Sequence, residues 1–237
     1  MAIIALNWQT VHRHGEAWIT HHRLRHRIFV QRQSWQVPSY QGLEYDRFDT
    51  PAAVYLLWRD DAGQARGVLR LIPTTQPYMV QSLWPGLLDH PCPQSPRVWE
   101  ASRFGCDRDL PAATRRRVLG ELICAALEFA LQNGIRRYLA VMPLWMFSQL
   151  LARRGCSIRY ASRTRPPARG ALAAAYIAVA PAILLRVRSL CEIAGPVLQP
   201  ADLGVALPDR PRRRPEDEAA ICAPAAAAPA TPPAAPG

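Results

Sequence analysis

Residues able to bind charge, stack on a ring and move a proton recur through the first 104 positions of this chain. Arg25 and Phe29 stand four apart and Trp35 follows six residues later. Glu44, Asp46 and Asp49 crowd one short segment, then come Gly67-x-x-Arg70-Leu-x-Pro73-Thr74 and Trp99-Glu100-x-Ser102-Arg103-Phe104. Arginine grips a carboxylate through two parallel hydrogen bonds. Aromatic faces attract cations and stack on planar rings, and a glutamate such as Glu100 is a candidate proton acceptor. Each group also has a plainer reading. Arg25 and Phe29 suit the surface and core of a helix, the acidic trio suits a solvated loop, and Glu100 with Arg103 suits a structural ion pair. Calcium is a weaker fit, because the glycine and final glutamate of an EF-hand loop are missing.

The elements that would carry these residues are legible in outline. Ala2 to Leu6 reads as a strand, and Gly15 to Gln33 as a helix with two adjacent stripes, Leu24/Ile28 and Arg25/Phe29. Ser34 to Pro51 loses periodicity and reads as a long loop, of the kind that is usually functional or mobile. Ala52 to Trp58 and Arg66 to Ile72 form a hairpin around a polar turn. Five prolines between residues 76 and 96 indicate a short helical turn within a loop. Arg97 to Phe104 is a strand, and Pro111 opens a long helix, Ala112 to Asn133, ended by Gly134. Strand Tyr138 to Met142, helix Leu144 to Arg154, strands Ser157 to Ser162 and Ala171 to Ala180, and helix Ala182 to Ile193 complete the pattern. Such alternation predicts an α/β (α+β) domain with a mixed twisted sheet flanked by helices.

Composition narrows the field. The 237 residues are 49% hydrophobic and 20% charged, enough for one domain with a substantial core. Arginine supplies all 29 basic side chains and the net charge is +11, which favours an acidic partner. The six cysteines include no C-x-x-C pair, so neither a zinc site nor a secreted disulfide framework is indicated. No signal-like leader and no apolar run of about 20 residues is present; the expectation is a cytoplasmic protein that does not enter the membrane. Eight of the 23 prolines lie between Pro208 and Gly237. We therefore expect a domain over residues 1–205 and a disordered tail over 206–237.

The ordered set from Arg25 to Phe104 resembles the acyl-homoserine-lactone synthases, the LuxI-type autoinducer synthases of bacterial quorum sensing, and the layout matches over roughly residues 1–195. The resemblance implies a fold like the GCN5-related N-acetyltransferases, with the acyl carrier's arm entering a V-shaped gap between splayed strands. It implies two substrates, S-adenosylmethionine and an acyl thioester of acyl carrier protein or coenzyme A, with no further cofactor and no metal. The amine of S-adenosylmethionine attacks the thioester, then its carboxylate closes onto the γ-carbon and expels methylthioadenosine. Carried over by position, Arg25, Phe29 and Trp35 wall the S-adenosylmethionine pocket. Asp46 and Asp49 hold its amine and polar parts, and Glu44 belongs to the same electrostatic network. Arg70 and Arg103 pair with these carboxylates, some arginine meets the substrate carboxylate, and Phe104 adjoins the pocket. Glu100 is the general base, with Ser102 and Arg103 as its catalytic neighbours.

By their place after the matched strand, Ala101, Ser102, Val141, Met142, Trp145, Met146 and Leu150 are expected to shape the acyl pocket. The absence of a hydroxyl at Ala140, Val141 and Met142 argues against a 3-oxo chain, and Trp145 with the methionines argues for a short, branched or aryl one. Arg115, Arg116 and Arg117 at a helix start suit a carrier phosphate, and Arg153 and Arg154 suit an acidic carrier protein. A second enzymatic reading is a GCN5-like acyl-coenzyme A N-acyltransferase acting on another amine, although Arg103-Phe-Gly-Cys-Asp departs from that phosphate loop. A nucleic-acid-binding module has only the charge in its favour: the arginines are scattered and no recognition motif stands out.

Overall fold

A computed structural model describes residues 3–162 and 171–199. The expected tail, 206–237, lies outside the described residues. Seven strands form one sheet in the order β1 (Ile3–Leu6), β4 (Val54–Arg59), β5 (Ala65–Pro73), β6 (Val98–Cys106), β7 (Arg137–Pro143), β9 (Leu172–Ala178), β8 (Ile158–Tyr160). Every neighbouring pair is antiparallel except β6 and β7. That parallel pair follows from the connection, since α3 (Ala112–Gln132) carries the chain back across the sheet between them.

One face of the sheet is covered by α1 (Gly15–Arg25), with the short α2 (Met79–Leu83) against it at Arg70 and Glu100, and the other by α3, on which α5 (Pro181–Leu190) packs. Residues of β4 show the alternation. Tyr55 packs edge-on to Trp18 of α1, whereas the indole N–H of Trp58 donates to Glu121 of α3 at 2.6 Å. The α3 helix can lie this close because β5 offers no side chain at Gly67. A Cβ there would stand 2.7 Å from Val118 Cγ1 and 3.1 Å from both Leu122 Cδ1 and Trp58 Cβ. On the same side of the sheet, Trp99 meets Phe129 edge to face and the Tyr138 hydroxyl donates to the Ala126 carbonyl.

The outer edge of β1 is paired as well. Ile3 N–H donates to Val197 O at 3.2 Å and Gln199 N–H to Ile3 O at 3.0 Å. The buried Glu128 carboxylate of α3 fixes this strap by accepting from the N–H groups of Val197 and Leu198 and from Arg188.

Three elements depart locally from expectation, two of them within the stretch from Arg25 to Phe104. The helix predicted over 15–33 is α-helical only to Arg25, and His26–Arg32 continues it in wider, π-type turns, a distortion frequent at functional sites. The loop predicted over 34–51 contains a hairpin, β2 (Ser39–Tyr40) and β3 (Leu43–Glu44), turned by Gln41 and Gly42 at φ +49° and +76°. The helix predicted over 144–154 begins as α4 (Leu144–Met146), widens over Phe147–Leu151 and tightens over Ala152–Arg154.

Candidate active site

The site lies where β5 and β6 pass under α1. From β5, Arg70 stands opposite Ser102 of β6, and the guanidinium Nε–H donates to the Ser102 hydroxyl at 3.2 Å. Immediately beyond, β6 carries two residues, Arg103 and Phe104, against the single Leu69 of β5. This bulge places Arg103 at φ +55°, a conformation costing a non-glycine residue roughly 1–2 kcal/mol, and re-aims its side chain toward Arg70 and β3. The hairpin β2–β3 brings Glu44 in from the other side, and the turn after it supplies Asp46 and Asp49.

These residues form a closed, charge-balanced network of three guanidinium groups and three carboxylates. Arg25 meets Asp49 with two parallel hydrogen bonds of 2.8 Å and reaches Glu44 through Nε. Arg70 Nη1 donates to Asp46 at 2.7 Å and to Asp49 at 2.8 Å. Arg103 donates to Glu44 at 3.0 Å and also to Asp46. The network is largely buried: Arg25, Arg70 and Glu44 are fully buried and Arg103 is 5% exposed, with Asp46 and Asp49 at its partly exposed side. Burial alone would raise the acids, but the Arg25 and Arg70 charges and hydrogen bonds hold Asp49 well below the usual carboxylate range, and Arg70 and Arg103 lower Asp46. Asp46 and Asp49 are therefore held ionised beside their arginines, and removing one member of such a network strands a buried partner, a loss of about 3–5 kcal/mol.

Saturation separates the expected ligands from the scaffold. Asp49 accepts from Arg25 twice, from Arg70, from the Tyr55 hydroxyl at 2.6 Å and from the Asp46 N–H. Arg25 directs all three nitrogens at carboxylates. Each polar atom of these two side chains is already engaged inside the network. Their geometry is that of residues that position Arg70, Arg103 and Asp46. Behind them, Trp18, His21, His22 and Tyr55 form an aromatic box, where burial holds His21 far below its ordinary pKa and keeps it neutral.

On the open side, Phe29 and Trp35 stack with centroids 4.8 Å apart, and the Arg103 guanidinium lies 5.4 Å and 5.6 Å from the two rings. The wide turns of 26–32 make this stack possible: Trp35 N–H donates to Phe29 O, which brings a residue six positions on back over the ring. Phe29 is buried, whereas Trp35 is 41% exposed, leaving indole surface open to a ligand.

Glu100 sits at a fork in the sheet. Strands β6 and β7 pair only over Val98–Glu100 and Arg137–Leu139. Beyond that point β6 stays with β5 and β7 with β9, so a V-shaped gap opens directly after Glu100. The Glu100 side chain is 1% exposed. Oε2 accepts from the Val80 N–H at 2.7 Å, while Oε1 is buried without a hydrogen-bond partner. Burial pushes its pKa up, partly offset by the Val80 N–H and the Arg70 charge. A buried carboxylate with one free oxygen and a raised pKa is equipped to take a proton.

The residues expected to shape the acyl pocket do not form one wall. Ala101 and Ser102 are strand neighbours and face opposite sides of the sheet, as do Val141 and Met142. Trp145 is 42% exposed; Met146 and Leu150 are half-buried. Among the basic residues, Arg115 is turned inward, donating to the carbonyls of Arg108 and Leu110, and Arg117 pairs with Glu121 one turn on. Arg154 donates to Leu150 O, and Arg116 and Arg153 are exposed. Sequence reasoning missed Tyr55, Met79 and the Val80 N–H; none lies in a motif that singles it out. Among the described residues, no cluster of three metal-ligating side chains occurs and no helix is long and apolar enough to cross a membrane.

The chain is similar in sequence and fold to known proteins. Residues 11–183 match the family model described as autoinducer synthase. An acyl-homoserine-lactone synthase of Ralstonia solanacearum is 37% identical over 128 residues, 52% of this chain and 62% of that protein. Among solved structures, the CoA-dependent acyl-homoserine lactone synthase BjaI, solved with methylthioadenosine and with S-adenosylmethionine plus isopentyl-CoA, is 26% identical with a TM-score of 0.74, covering 93% of this chain and 99% of BjaI. MesI, also a CoA-dependent acyl-homoserine lactone synthase, is 25% identical with a TM-score of 0.75, covering 84% of this chain and 99% of MesI.

Proposed function

Since the chain belongs to the autoinducer synthase family, we propose that it acylates the amine of S-adenosylmethionine from an acyl thioester and lactonises the product, releasing methylthioadenosine. The observation that carries this reading is the position of Glu100, buried at the apex of the V-shaped gap with Oε1 unpartnered and the arginine–carboxylate network beside it. A thioester arm threaded into the gap brings its carbonyl to that apex. The substrate ammonium gives a proton to Glu100, directly or through a water, and the free amine adds to the thioester carbon. Collapse of the tetrahedral adduct breaks the C–S bond and expels the carrier thiol. The methionyl carboxylate then displaces methylthioadenosine from its own γ-carbon, and the sulfonium leaves as a neutral thioether.

In this reading Trp35 and Phe29 offer the ring surface for the adenosyl and sulfonium parts. Arg70 and Arg103 are the arginines that meet the substrate carboxylate, and Arg25, Glu44, Asp46, Asp49 and Tyr55 hold them in place. The acyl donor is a coenzyme A thioester of a short or branched acid, supported by the likeness to BjaI and MesI. The test is methylthioadenosine release from S-adenosylmethionine against a panel crossing chain type with carrier. Release dependent on a short or branched acyl-CoA, with an acyl-homoserine lactone formed, is expected. Release only with acyl carrier protein thioesters would overturn the donor, and no binding of S-adenosylmethionine would overturn the reaction. Acyl transfer without methylthioadenosine would favour the N-acyltransferase alternative.

A further inference from the structure

Two guanidinium nitrogens at the centre of the network are directed at a sulfur atom. Arg70 Nη2, which also donates to Asp46 Oδ2 at 3.1 Å, donates to Met79 Sδ at 2.9 Å, and Arg103 Nη1 donates to the same sulfur at 3.5 Å. For Arg103 Nη1 the thioether is the whole of its hydrogen bonding, whereas Arg103 Nε and Nη2 are turned to Glu44 and Asp46. Met79 is 7% exposed and opens α2, immediately before the residue whose N–H holds Glu100.

A thioether is a weak acceptor and an unusual terminus for two buried cations. A carboxylate accepts from the same donors about twice as strongly. Methionine is also the apolar side chain most easily moved, being unbranched with three rotatable bonds. We propose that Met79 is a positioning residue that occupies the carboxylate subsite of the free enzyme: its sulfur satisfies Arg70 and Arg103 until the methionyl carboxylate of S-adenosylmethionine displaces it. This rests on the synthase reading and deepens it. Exchanging a thioether for a carboxylate makes binding selective for adenosyl compounds that carry the amino-acid group. It also gives the product an exit, because methylthioadenosine lacks the carboxylate and cannot hold Met79 away. No covalent bond changes in this step.

The test compares affinities for S-adenosylmethionine and methylthioadenosine by calorimetry in the wild type and in Met79→Leu, which keeps the bulk and removes the acceptor. Without the N–H···S bonds to break, the variant should bind S-adenosylmethionine about 3- to 10-fold more tightly, the equivalent of one ordinary net hydrogen bond. Methylthioadenosine affinity should change less than about twofold. Unchanged or weaker S-adenosylmethionine binding, or equal shifts for both ligands, would overturn the proposal. A second measurement needs no variant: the chain has four methionines, so the Met79 methyl can be followed by NMR in the ¹³C-methyl-labelled protein. That resonance should move with S-adenosylmethionine and stay with methylthioadenosine; a methyl unmoved by S-adenosylmethionine overturns the displacement. Failure of the wild type to bind S-adenosylmethionine would instead overturn the synthase reading, and this inference with it.

Discussion

At the scale of single residues, the site divides into groups that are saturated and groups that are not. Asp49, Arg25 and Glu44 have every side-chain polar atom engaged within the network, whereas Glu100 keeps a free oxygen in a buried place. Glu100→Gln keeps the size and can still accept from the Val80 N–H, so turnover should fall about 10²–10⁴-fold with the fold intact. The sign of the stability effect is fixed by the raised pKa. A carboxyl raised in the folded state costs nothing while it is neutral in both states, and its cost grows as pH climbs from the unfolded pKa through the folded one. The melting temperature of Glu100→Gln should therefore match the wild type in mild acid and exceed it near neutral pH. An equal difference at both pH values would contradict a raised Glu100. The residue types were legible in the sequence, and so was the pairing of Arg70 and Arg103 with the acidic trio. Which of the acids and arginines is saturated was not legible, because that depends on the Tyr55 hydroxyl, which lies outside the motif, and on Asp49 turning back to the Asp46 N–H.

At the scale of elements, local signals succeeded where the chain obeys regular periods. The long helix α3 and the β4–β5 hairpin carry their caps, turns and apolar periods openly. The π-type turns of 26–32, the bulge at Arg103 and the β2–β3 hairpin did not show, since each is a local cost accepted for a tertiary gain. The bulge aims Arg103, and the wide turns bring Trp35 over Phe29. Gly67 is the opposite case, a residue visible in the motif whose reason is purely one of packing. Gly67→Ala should destabilise the protein by about 1–3 kcal/mol in urea unfolding, because Val118, Leu122 and the β4 strand at Trp58 would all have to shift. No loss of stability would mean that α3 is free to back away from the sheet.

At the scale of the whole molecule, the sheet is both core and frame for the reaction. The parallel junction of β6 and β7 is also where those strands diverge, so in the proposed reaction the acyl entrance and the proton acceptor would arise from the same break in pairing. The shape was foreseen as a mixed sheet between helices; the last step around its edge was not. Residues 197–199, held by Glu128, lie against the outermost strand. An uncovered strand edge is a template on which other chains polymerise. A protein cut before Val197 would bare the N–H and C=O groups of Ile3 and leave the Glu128 carboxylate short of two donors. Such a shortened chain should scatter light increasingly as it is concentrated, well beyond the full-length protein, even though every group that handles substrate is still in place. On that outcome the three residues at the rim would act as a guard against self-association, and their contribution would be read in shelf life and yield, not in turnover.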